Sequence, residues 1–265
     1  MNIFNREMKA HRKSLIIWGI GIILMIFSGM GKYTTLYSTN NSMNDVMAKM
    51  PNGLKAIMGG GFFDLSKASG FYGVLFLYLV LMATIHAAML GADIISKEER
   101  DKTFEFLMVK PISREKIITS KLLAALLNIV IFNIINFVFS IIIVSKYAKG
   151  ESVIGNIAIL MVGMFILQLM FLLIGTAIAA ISKNPKTASS LSTAILLSTF
   201  MLSIIIDLNE KLINLKYLTP FKYYEAKNLM YGGGFNAIFL IISFLIIVIC
   251  FFITYIFYKK RDLNV

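Results

Sequence analysis

V-I-G-N-I-A-I-L-M-V-G-M-F-I-L-Q-L-M-F-L-L-I-G-T-A-I-A-A-I (Val153–Ile181) runs for 29 residues without one charged side chain. As a helix it would rise about 43 Å, more than the roughly 30 Å hydrocarbon core of a bilayer. Such a run reads as a membrane span. Working outward from it, five more stretches share its character: Ser14–Gly31, Phe71–Ile95, Leu122–Val144, Ala188–Ile206 and Asn236–Tyr258. None of the six contains Lys, Arg or Glu, and their only aspartate is Asp93. Hydrophobic residues make up 58% of the 265 and charged residues 15%, which excludes a soluble globular enzyme. The expected fold is all-α: one domain over 1–265, a polytopic integral membrane protein with six transmembrane helices.

The net charge of +12 would suggest nucleic-acid binding in a soluble chain. Here the cations sit in the connections between apolar runs, where they report orientation and contact with anionic membrane lipid. All five arginines (Arg6, Arg12, Arg100, Arg114, Arg261) fall in 1–13, 96–121 and 259–265. Both termini are therefore expected in the cytoplasm. The opening stretch is polar and basic and no small-residue cleavage site follows the first apolar run, so that run is expected to stay as a signal anchor. Cys250 is the single cysteine, and it precludes an intramolecular disulfide.

Three connections are more than turns. In M-N-I-F-N-R-E-M-K-A-H-R-K (1–13), Ile3, Phe4 and Met8 share a face while Arg6, Lys9, Arg12 and Lys13 lie elsewhere. That pattern suits a short N-terminal helix in the cytoplasmic interface, against the alternative of a disordered basic tail. The connection 32–70 carries Gly59-Gly60-Gly61-Phe62-Phe63. The connection 207–235 holds Y-L-T-P-F-K-Y-Y (Tyr217–Tyr224) and then Gly232–Gly234, a mixture that suggests short interfacial or re-entrant helices.

Ionisable residues inside a membrane mark proton relays and ion paths. This chain offers His86, with Asp93 seven residues on and roughly 10 Å along the same helix. A protonatable pair facing a cavity competes with the plainer reading, a neutral histidine bonded to a neighbouring helix, which we prefer. Ala83, Ala87 and Gly91 recur at i, i+4, i+8, as do Gly175 and Ala179, giving stripes that let helices approach closely. Asn128, Asn133, Asn136 and Gln168 read as interhelical hydrogen-bonding groups. There is no paired-carboxylate, zinc or nucleophile signature and no phosphate-binding glycine loop, so no catalysis, metal or cofactor is expected of this chain.

The informative connection is I-S-K-E-E-R-D-K-T-F-E-F-L-M-V-K-P-I-S-R-E-K-I-I-T-S-K (Ile95–Lys121). Phe104, Leu107 and Met108 recur at i, i+3, i+4, and Pro111 stops that short helix. Ser113 is the N-cap expected for the next one, with Ile112 and Ile117 as a hydrophobic staple and Glu115 in the first turn. The apolar face of the short helix could lie on lipid or dock onto another protein.

From Glu98 to Lys121 the sequence resembles the cytoplasmic signature of permeases of the type 2 exporter family of ABC transporters. Glu98, Thr103, Leu107, Pro111, Ser113, Arg114 and Lys121 match that pattern in order and spacing. Lys102 stands where the family usually has glycine. Thr219-Pro220-Phe221, before the last span, is similar as well. The resemblance implies a cytoplasmic coupling helix within 96–121, with Glu98, Thr103, Phe104, Leu107, Met108, Pro111, Ser113 and Arg114 at the interface with a separate ATPase. It further implies two ATPase subunits carrying ATP and Mg, and a second permease subunit, identical or homologous. His86, Ala83, Ala87 and Gly91 remain for the pathway or for helix packing. Two rivals stand beside this reading: a secondary transporter or channel, and a membrane immunity or scaffold protein that binds a partner without transport. With 21 lysines to five arginines and many Ile and Asn, the chain fits an A/T-rich bacterial genome and hence a bacterial cytoplasmic membrane.

Overall fold

The structure, a computed structural model, describes residues 3–38, 51, 63–103, 112–148, 150–182 and 184–260. Six long helices carry the apolar stretches: α1 (Ile3–Ser38), α2 (Ala68–Arg100), α3 (Arg114–Ser145), α4 (Ile154–Ile181), α5 (Ala188–Leu208) and, after a compact connection, α7 (Ala237–Lys260). That connection contains two 3-10 helices, Glu210–Leu218 and Pro220–Lys222, and the short α6 (Ala226–Tyr231). There is no strand among the described residues. All six long helices are long and apolar enough to cross a bilayer, and the chain is a multi-pass membrane protein.

Two helices start well before their apolar stretches. The N-terminal piece is helical, but it continues into the first span, so α1 is one helix of 36 residues, about 54 Å long. Ile3 and Met8 pack into the apolar cluster that fills this end of the bundle, and those contacts hold the basic segment in register with the span. The third helix starts where its cap does. Ser113 has extended backbone and its hydroxyl accepts from the Lys116 amide at 3.3 Å, while Ile117 is buried.

The centre of the bundle is the α2–α4 pair, with α1 packed on α3, α7 on α4 and α5 on α2. The small-residue stripes make the central crossing possible. A Cβ on Gly175 would come within 2.5 Å of the Ala88 carbonyl oxygen, and one on Gly91 would collide with the Leu172 carbonyl. Polar side chains then tie the crossing. Tyr72 donates to Ser140 (2.7 Å), Ser140 to Asn136 (3.2 Å), and Asn133 to Gln168, linking α2, α3 and α4 through buried side chains. Asn128 donates to the Ala124 carbonyl at 2.8 Å and sits against Met8 of α1. The outermost helix is α7, where Ile241, Phe244, Leu245 and Phe252 are exposed to the surrounding lipid.

Candidate functional site

The end of α2 explains the motif that follows it. Lys102 has φ +53°, the left-handed region that favours glycine. Its amide donates to the Glu99 carbonyl at 3.2 Å, and the Thr103 amide donates to the Glu98 carbonyl at 2.8 Å. This is a Schellman ending, whose left-handed residue is usually glycine. The substitution by lysine keeps the turn and adds backbone strain. Thr103 is exposed.

Below that turn lies a cluster of charges drawn from three helices. The Glu98 carboxylate accepts from Arg6 of α1 at 2.6 Å and from the Lys121 ammonium of α3. Lys121 also donates to the Ile94 carbonyl at 2.5 Å. Arg6 additionally donates to Glu7 at 2.6 Å. Glu98 is 6% exposed, Glu7 2% and Lys121 0%. Charges this buried persist only when paired and hydrogen-bonded, as these are. His11 completes the cluster: its Nε2 lies 3.8 Å from Glu7 and makes no hydrogen bond among the described residues.

Glu98 therefore does not lie on a docking surface, as the sequence reading has it. It faces inward because Arg6 and Lys121 are there to neutralise it, and it bears on the following segment by fixing the segment's base. Arg114, expected at the same interface, is half-buried at the start of α3. Its guanidinium donates to the Lys259 carbonyl at 2.9 Å, and the Lys259 ammonium donates to Glu115 at 2.5 Å, so the start of α3 is tied to the end of α7. Ser113 caps α3. Phe104, Leu107, Met108 and Pro111 lie outside the described residues. The residues missed were Arg6, Glu7 and Lys259; Glu7, the lone acid in 1–13, was the available signal.

The central helices hold no acid–histidine pair. Asp93 is held by Arg100, seven residues on. His86 is buried between Trp18 of α1 (ring centroids 5.5 Å) and Phe132 of α3 (4.9 Å), and its Nδ1 has no hydrogen-bond partner among the described residues. It is held by ring packing, and not by the interhelical hydrogen bond that the sequence suggested. Ala83, Ala87 and Gly91 are buried in the packing of the bundle.

The family model for the ABC-2 family transporter protein matches residues 1–263. The chain belongs to the ABC-2 transporter family. No curated protein matches it in sequence. Membership in the ABC-2 family gives the six-helix bundle its role as a permease, the membrane part of a transporter.

Thr219-Pro220-Phe221 of this ABC-2 permease knits the far end of the bundle. Thr219 donates to the Thr199 carbonyl of α5 at 2.8 Å, and Phe221 packs on Phe171 of α4 and Phe200 of α5. Tyr223 stacks on Phe239 with centroids 4.7 Å apart. Burial pushes its phenol up to about 12, so it remains a donor, here to the Tyr217 carbonyl at 2.5 Å. Lys222, 6% exposed, pairs with Asp207 at 2.5 Å and with Glu225, and Lys227 lies 3.3 Å from Glu225.

Proposed function

We propose that this chain is the permease subunit of an ABC exporter, paired with a second permease subunit, identical or homologous, and driven by two cytoplasmic ATPase subunits that carry the ATP and Mg. The observation that carries the reading is the clasp of Arg6, Glu98 and Lys121. Glu98 and Lys121 bracket the segment that contains Phe104, Leu107 and Met108, and Arg6 ties the same point to α1. A push on that segment by a closing ATPase dimer would reach three long helices at once. For ATP to shift the bundle between inward- and outward-facing states, the docked segment must make different contacts in each. The seating of Asp93 on Arg100, and of His86 between two aromatic rings, supports this reading over secondary transport, which ordinarily relies on charge inside the spans.

In this reading the end bearing both termini faces the cytoplasm of a bacterium. Cysteine at Asn214 is expected to react with a polar thiol reagent from outside, and cysteine at Thr103 only after permeabilisation. Coupling is tested with Leu107→Asp, which would place a carboxylate in an apolar groove at a cost of several kcal/mol. The expected protein reaches the membrane normally but co-purifies with little ATPase. Thr103→Ser serves as the control. Full ATPase association by Leu107→Asp would contradict the assignment.

A further inference from the structure

On α1, the residues Lys9, Arg12 and Lys13 are exposed and held by no ion pair among the described residues. They recur at i, i+3, i+4, and the same register continues through Ile17, Leu24 and Phe27, all exposed. One helix face thus passes from three cations to an apolar column in a single line. From Lys13 to Phe27 the column runs about 21 Å, longer than the ~15 Å depth of one leaflet. The acids of this end are engaged with other cations among the described residues: Glu7 and Glu98 with Arg6 and Lys121, Asp93 and Asp101 with Arg100, and Glu115 with Lys259.

We propose that this face of α1 binds an anionic phospholipid, its phosphate among Lys9, Arg12 and Lys13 and its acyl chains along Ile17, Leu24 and Phe27. The order of the face is the order of such a molecule: negative charge first, then hydrocarbon. A second copy fits badly, because a two-fold contact through this face would set the three cations of one chain against those of the other. The inference rests on the membrane-spanning bundle and is independent of ATPase coupling, so either can fail alone.

The test uses the full chain in phosphatidylcholine vesicles. Trp18 is the only tryptophan, so Trp18→Phe with Ile17→Trp places the sole tryptophan on the exposed face, where it is excited selectively at the red edge of its absorption. Brominated phosphatidylglycerol or brominated phosphatidylcholine is then added at equal mole fraction, and quenching gives their relative affinity. Each cation near the membrane surface contributes about fivefold, so a preference of about tenfold or more for the anionic lipid is expected. Lys9→Gln/Arg12→Gln/Lys13→Gln should bring that preference close to one. Lys9→Arg/Lys13→Arg should keep it, and Lys211→Gln, at the other end, should not change it. Should the triple variant lose its helical circular dichroism, raising salt to about 0.5 M decides, since screening must then abolish the preference. Equal quenching by both lipids overturns the proposal. So does a preference that survives neutralisation or salt, or a reporter shielded from both lipids, as it would be by a second protein chain.

Discussion

The two ends of the bundle use the same chemistry over different ranges. At the N-terminal end, Glu98 pairs with Arg6 across 92 positions of sequence and with Lys121 across 23, joining three long helices. At the far end, Lys222 pairs with Asp207 across 15 positions and with Glu225 across three, and the result is a folded connection lying on α5. The first cluster ties three helices together at one point. The second fixes the shape of a local segment. A buried ion pair is therefore no guide to function until its reach along the chain is known.

The largest expected effect comes from breaking the long-range cluster. Glu98→Gln leaves the fully buried Lys121 without a counter-charge, which should cost about 3–5 kcal/mol and lower the melting temperature of the detergent-solubilised protein sharply. A Glu98→Gln protein that melts with the unsubstituted one would show that this end is no more integrated than the other. Arg6→Gln keeps the Lys121 pair but takes from the buried Glu7 carboxylate its charged hydrogen-bond donor, so a loss of about 2–3 kcal/mol is expected in the same assay. Between the two ends in size stands the turn at Lys102. Lys102→Gly should relieve the left-handed strain and raise stability by about 0.5–1 kcal/mol, whereas Lys102→Val should lower it. Equal melting of both variants would mean the Schellman turn is not held in solution. The smallest effect is expected for Asp207→Asn, below about 1 kcal/mol, because Lys222 retains Glu225.

Much of this architecture was legible from the long apolar runs alone, since each of the six stretches falls on a long helix to within one residue. The Ser113 cap and the small-residue crossing were legible too, because both follow from local geometry that a residue type dictates. What could not be read was which distant side chains meet. Glu98 looked like a surface charge because nothing near it in sequence announces Arg6 or a buried Lys121. His86 looked like a hydrogen-bonding group, because the Trp18 and Phe132 rings that hold it come from other helices. The left-handed Lys102 was signalled only by the resemblance, which has glycine there; a lysine by itself gives no sign of that conformation.

The central claim is that the N-terminal cluster carries the ATPase's motion into the bundle while the far cluster does not. Arg6→Gln and Asp207→Asn are both expected to leave a folded protein, so ATP hydrolysis by the complex that co-purifies with each variant tests it directly. The account predicts that Arg6→Gln lowers hydrolysis several-fold per complex and that Asp207→Asn leaves it unchanged. Equal hydrolysis by the two variants would contradict it.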